Sequence, residues 1–197
     1  MSVSQILIVG GNDIEQAFPR IQTNLNTIGP VSFIKMPEHE NHPLPVLLKE
    51  MEPFIQNNAH IFYSYGRDSL LLGKPLNVCK KEFWELSTQM RTCGEGKKLF
   101  ATALPVLSET ALQSEIPDLN HTTKERANAN GCAILDLYQY VSLRKTDMLD
   151  PKGTGLSKVG AELMGDVISA AILDLLKEGN DPSLPFVAAL GDSIQGG

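Results

Sequence analysis

Two short stretches of glycine and carboxylate, Gly10-Gly11-Asn12-Asp13 and Gly66-Arg67-Asp68-Ser69, follow the apolar runs Ile6 to Val9 and His60 to Ser64. Glycine lets the chain turn tightly at a strand tip, and α/β proteins place ligand chemistry at such tips. Asp13 and Asp68 would form an acidic pocket there, with Arg67 beside Asp68 as an ion pair holding the loop. A third turn, Gly191-Asp192-Ser193-Ile194, follows an apolar run from Phe186 and presents a hydroxyl, the group that nucleophilic acyl transfer needs. His39 and His42 have His-x-x-His spacing, with Glu38 or Glu40 at hand as a further ligand, but Pro37 and Pro43 frame them as a solvated loop. His60 and His121 have no obvious acid partner in sequence. Phe83 and Trp84 stand at core spacing on a helical pattern, which favours packing over recognition.

The elements that must hold these turns are legible as an alternation. Five apolar runs, Ile6 to Val9, Val31 to Met36, His60 to Tyr65, Lys98 to Ala103 and Ala133 to Leu137, are separated by helical patterns. Those patterns cover Ile14 to Thr27, Pro45 to Gln56, Asn77 to Arg91, Leu119 to Asn130 and Lys158 to Lys177. Near-continuous apolar strands alternating with helices predict a three-layer, doubly wound α/β domain, flavodoxin-like, around a five-stranded parallel sheet. The last helix is the plainest, with Val159, Leu163, Val167, Ala171 and Leu175 recurring every four residues, Ser157 able to cap it and Gly179 able to end it. We expect one domain over 1–178, then a linker and an extra strand over 179–197.

Composition excludes several classes. A net charge of -6 argues against a nucleic-acid partner, since such binding draws on Lys and Arg. No apolar stretch approaches the roughly 20 residues that span a bilayer, and Met1 to Gln5 lacks a signal-peptide pattern, so a cytoplasmic location without a membrane is expected. Cys79, Cys93 and Cys132 show no CxxC spacing and fit reduced, buried thiols. Gly10-Gly11 lacks the third glycine of a dinucleotide fingerprint, so no cofactor is expected. An acidic pocket like that of a response-regulator receiver would want a lysine at the end of the fifth strand, and none is convincing there.

The order of these landmarks resembles the SGNH (GDSL) hydrolase family, in which Gly-Asp-Ser follows the first strand, Gly-x-Asn-Asp the third, and Asp-x-x-His precedes the last helix. Tyr65-Gly66-Arg67-Asp68-Ser69-Leu70-Leu71 is similar to the third-strand block, and Ala101 to Val106 to the family's proline-bearing loop. Asn128 to Tyr138 is similar to the passage into the fifth strand. Gly153-Thr154-Gly155-Leu156-Ser157-Lys158-Val159-Gly160 tracks Gly-x-His-Leu-Ser-x-x-Gly. The resemblance spans residues 5 to 177 and implies that fold.

The active-site letters depart from it. With Gly153 and Gly160 as anchors the family's histidine falls on Gly155 and its acid on Lys152; pairing Asp147 with Asp150 restores an acid but no imidazole. The nucleophile position holds Asn12, or Asp13 if shifted, and the oxyanion-hole asparagine falls on Asp68. These losses imply a domain without turnover that keeps the cleft around Gly11, Asn12, Asp13, Gly66, Arg67, Asp68 and Gly155 for a small ligand or a protein partner. Phe186 to Gly197 resembles the family's first block once more. It reads either as the first strand of a second SGNH domain or as a strand that docks on an edge or a neighbouring copy, forming a homodimer. Either would make Ser193, with Asp192, the catalytic pair of an ester hydrolase or O-acyl transferase whose base comes from elsewhere.

Overall fold

The computed structural model describes residues 5–37, 43–92, 94–107 and 110–177. Five parallel strands, β1 (Ile6–Gly10), β2 (Val31–Lys35), β3 (His60–Ser64), β4 (Lys98–Ala101) and β5 (Ala133–Leu135), lie in the order β2-β1-β3-β4-β5. Ile6 pairs with Val31 on one side and His60 on the other, so the chain runs outward from β1 in both directions. The tips of β1 and β3 therefore flank the switch point of the sheet, where a crevice opens in folds of this kind.

Alternate residues of one strand feed opposite cores, as a sheet covered on both faces requires. Ile6 and Ile8 join Ile14, Ala17, Ile21 and Leu25 of α1 (Asn12–Leu25) and Met164, Ile168 and Ile172 of α8 (Lys158–Leu176). Leu7 and Val9 face the other way, toward Leu47 and Met51 of α2 (Pro43–Gln56), Phe83 and Met90 of α4 (Leu76–Thr92), and Ile116 and Leu119 of α5 (Thr110–Ala129). The three-layer doubly wound architecture is thus the observed one.

The described residues also form three short helices, α3 (Arg67–Leu71), α6 (Leu137–Ser142) and α7 (Lys145–Met148). Several expected boundaries shift, most by one or two residues, and two shifts have a plain cause in the chain. The fifth strand ends at Leu135 rather than Leu137, because the Asp136 side chain accepts from Gln139 N–H and starts α6 there. The helix expected from Leu119 begins at Thr110 and runs through Pro117, which reads in sequence as a boundary but is accommodated within the helix. Ser157 caps α8 as expected, accepting from Gly160 N–H. Gly179 lies outside the described residues.

Candidate functional site

Gly11 and Gly66 fix the two turns at the switch point. Gly66 has φ 100°, a left-handed conformation that a side chain disfavours, and a Cβ there would meet Leu119 at 2.4 Å. That turn directs Arg67, Asp68 and Ser69 inward, all buried. Gly11 leaves room for Asp68: a Cβ on it would lie 2.4 Å from Asp68 Oδ2. The same oxygen accepts the Asn12 backbone N–H at 2.6 Å, while Asp13 Oδ1 accepts the Ile14 N–H at 2.9 Å. The opening turn of α1, which in a parallel α/β fold is a natural anion seat, is therefore filled by the chain's own carboxylates.

Arg67 is the positive charge in this group. It is 4% exposed, its Nη2 reaches only the Pro105 carbonyl at 3.5 Å, and its Nε has no hydrogen-bond partner among the described residues. The expected Arg67–Asp68 ion pair is not among those formed by the described residues; Asp68 turns to Asn12 N–H, and the Arg67 charge is felt by Asp13. Burial pushes the Asp13 carboxyl above its ordinary value, Arg67 pulls it back and the Asp68 charge adds to the rise.

The third wall is the loop between α7 and α8. A Leu149–Leu156 bridge closes it, with Asp150 N–H donating to Gly155 O and Ser157 N–H to Met148 O. Asp150 Oδ1 accepts from Thr154 N–H at 3.1 Å. Leu156 N–H donates to Gln16 Oε1 on α1 at 3.2 Å, which ties this loop to the helix carrying Asn12 and Asp13. The structure thus places Gly11, Asn12, Asp13, Gly66, Arg67, Asp68 and Gly155 on the loops at the carboxyl end of the sheet.

Other expectations fall elsewhere. His60 sits at the opposite end of β3, accepting from Lys97 N–H, and burial with Lys97 and Lys98 nearby lowers its pKa. His121 does have an acid partner, Glu125 one turn on at 3.3 Å, a spacing that is readable on a helix once α5 is known to extend there. Phe83 is buried as expected, but Trp84 is half exposed with the Arg126 guanidinium over its ring. Cys79 and Cys132 are buried thiols outside any disulfide among the described residues. His39, His42, Cys93, Asp192 and Ser193 lie outside the described residues. Among those described, no group of three or more His, Cys, Asp or Glu could hold a metal, and no helix is long and apolar enough to cross a membrane.

A concavity lined by Met36, Leu47, Tyr63, Tyr65 and Glu82 lies on the α2/α4 face of the sheet. Tyr65 O–H donates to Glu82, which Lys74 also holds at 3.0 Å. Burial, followed by that hydrogen bond, pushes the Tyr65 phenol well above its ordinary range, so it is a fixed donor and not a base.

Sequence reasoning missed Gln16 and Asp136. Asp136 accepts from Thr102 Oγ1 at 2.9 Å, Gln139 N–H at 3.1 Å and Lys124, while Thr102 Oγ1 accepts Tyr138 N–H at 2.9 Å. The signal was present: Asp136-Leu137-Tyr138-Gln139 has the acceptor and Gln spacing of a capping box. Asp136→Ala is expected to lose about 2–3 kcal/mol in urea unfolding, because a buried hydroxyl and a helix start lose their acceptor together. Asp136→Asn should recover part of it, and a loss below about 0.5 kcal/mol would show the network to be idle.

No protein-family model matches the chain, and no curated protein matches it. Solved structures do. A lipase/acylhydrolase from Enterococcus faecalis superposes with TM-score 0.72 at 19% identity, covering 90% of this chain and 99% of that one. The acetyl xylan esterase AlAXEase gives 0.68 at 14% identity, covering 85% and 99%. A GDSL-like lipase from Bacteroides thetaiotaomicron gives 0.67 at 15%, covering 88% and 89%. At these identities the likeness is one of architecture, and it joins the strand order and the loops described above in one conclusion: this chain has the SGNH (GDSL) hydrolase-like fold.

Proposed function

We propose that this is a catalytically silent SGNH-like domain that uses the crevice beyond β1 and β3 to bind a small ligand or a protein partner. The observation behind the reading is that the first-turn N–H groups of α1 already donate to Asp68 and Asp13. Acyl transfer needs donors left free for a developing oxyanion, and here acceptors stand in front of them. The positions of the family's serine and histidine hold Asn12 or Asp13 and Gly155, and the described histidines lie away from these loops. Loss of one member of such a catalytic unit typically lowers the rate ~10⁴-fold, and loss of several leaves little beyond binding. A second reading rests on the Gly191-Asp192-Ser193 sequence, with Ser193 as nucleophile and a base from a second SGNH domain or a partner copy.

The test is hydrolysis of p-nitrophenyl acetate by the full chain, by Ser193→Ala and by a form ending at Gly179. No turnover above buffer is expected from any of them. Activity that disappears in Ser193→Ala would overturn the silent reading in favour of the second. Activity that survives Ser193→Ala but not Asp13→Asn would overturn both and put the chemistry at the tip of β1.

A further inference from the structure

The outer surface of the loop between α7 and α8 carries side chains that neither the core nor the crevice accounts for. Its two arms are held together by the Leu149–Leu156 bridge, by Ser157 N–H donating to Met148 O and by Ser157 Oγ–H donating to Asp147 O at 2.8 Å. Leu143 stands at the base of one arm and Val159 at the base of the other. At 76% and 57% exposure they are the most exposed large apolar side chains among the described residues. At the tip of the loop Gly153 packs on Leu107, whose N–H donates to Gly153 O at 3.1 Å, and Leu107 is itself exposed. Single apolar residues on a surface are ordinary, but three on one hydrogen-bonded loop offer anchors of the kind that interfaces bury.

The charge on this loop runs against that of the whole chain. Arg144, Lys145, Lys152 and Lys158 stand there against Asp147 and Asp150, in a protein of net charge -6. Asp150 is engaged by Thr154 N–H, while the side chains of Lys145 and Lys158 have no ion pair or hydrogen bond among the described residues. Lys158 is the first residue of α8, and no acid stands in that helix's first turn. A cation there opposes the helix dipole, so helix formation does not explain it. Salt screens the overall negative charge beyond about 8 Å, so the local sign decides what docks in contact. We infer that the α7–α8 loop docks an acidic segment of a partner protein, Leu107, Leu143 and Val159 receiving its apolar side chains and Lys145 and Lys158 its carboxylates. This rests on the protein-partner arm of the function proposed above and names that partner's chemistry.

The experiment is an amide NMR titration of the full chain with an acetylated peptide of repeated Glu-Glu-Leu-Leu, beside Lys-Lys-Leu-Leu and Glu-Glu-Ser-Ser peptides of equal length. Saturable shifts are expected with the first alone, centred on Leu107, Leu143, Lys145, Lys158 and Val159. Lys145→Glu combined with Lys158→Glu should weaken binding about 10-fold or more, and Leu143→Ser combined with Val159→Ser by a similar factor. None of these four side chains is buried, so both variants should fold, which their own spectra report. Unchanged affinity in either variant, an equal response to the basic peptide, or no saturation would overturn the inference. Binding to phosphatidylserine vesicles without the peptide shifts would also overturn it, in favour of a membrane surface. Ester turnover is read separately: turnover with peptide binding intact would sink the silent-domain reading alone, and silence without peptide binding would sink this inference alone.

Discussion

Arg67→Met is expected to lower stability by about 3–5 kcal/mol, the range seen when one member of a buried charge group is removed and the others are left behind. Methionine matches the length of the arginine stem, so the loss reports charge more than volume. Asp13 and Asp68, 4% and 8% exposed, would remain with only backbone donors. The deficit should depend on pH, and its sign follows from Asp13. Burial already holds that carboxyl above its ordinary value, and Arg67 is the attraction opposing the rise. Without Arg67 the Asp13 pKa moves further up. A carboxyl raised in the folded state contributes stability that is full below its unfolded value and is lost as pH climbs through its folded value. The variant should therefore lie furthest below the parent near pH ~8 and recover part of the difference near pH ~5. Urea unfolding at the two pH values measures this. A deficit under about 1 kcal/mol, or one of equal size at both, would mean that Arg67 is not the counter-charge of this group.

Gly160→Ala should be nearly as damaging. A Cβ at Gly160 would lie 1.9 Å from the Met148 carbonyl oxygen and 2.7 Å from its carbon, and both are backbone atoms that no rotamer change can move. That same carbonyl accepts the Ser157 N–H, and Ser157 caps α8 on Gly160 N–H itself. The added methyl must therefore push the start of α8 off the loop that carries Asp150 and Gly155. We expect a loss of about 3 kcal/mol or more, the upper end for overpacking. In a domain of this size that lowers Tm by about 6–12 °C, read by thermal unfolding. A shift below about 2 °C would show that α8 slides without penalty. Glycine at 160 is thus explained by helix-to-loop packing, whatever chemistry the preceding loop performs.

The parts of the fold readable in advance were those with long period. Runs such as Ile6 to Val9 announce a strand buried on both faces, and Val159 to Leu175 announces a helix with one broad apolar stripe. What escaped was set by tertiary contacts or by single side chains. The five residues of α3 are too few for periodicity and exist because Gly66 turns left-handed against Leu119. The beginning of α5 was hidden by Pro117, and α6 by an apolar stretch that reads equally well as strand. At the tips of β1 and β3, residue types and loop positions were legible, which is why Gly11, Asp13, Asp68 and Gly155 could be assigned to neighbouring loops from the strand order alone. Their partners were not. Nothing in the letters Arg67-Asp68 says that the carboxylate turns to Asn12 N–H and the guanidinium to the Pro105 carbonyl, because both choices depend on how the strands lie side by side.

The pairing of α1 with α8 has a consequence for how this protein is made. Ile14, Ala17, Ile21 and Leu25 are covered by Met164, Ile168 and Ile172, with Arg20 and Asn24 clasping Asp166 at 2.6 Å and 2.8 Å along the seam. These partners are 142 to 146 residues apart in the chain. During synthesis the first helix emerges early and then waits, the part of its apolar side that α8 covers left bare, until nearly the whole domain has left the ribosome. For that interval the nascent chain is a natural client for chaperones, and any arrest before α8 releases a sheet with one face open to aggregation.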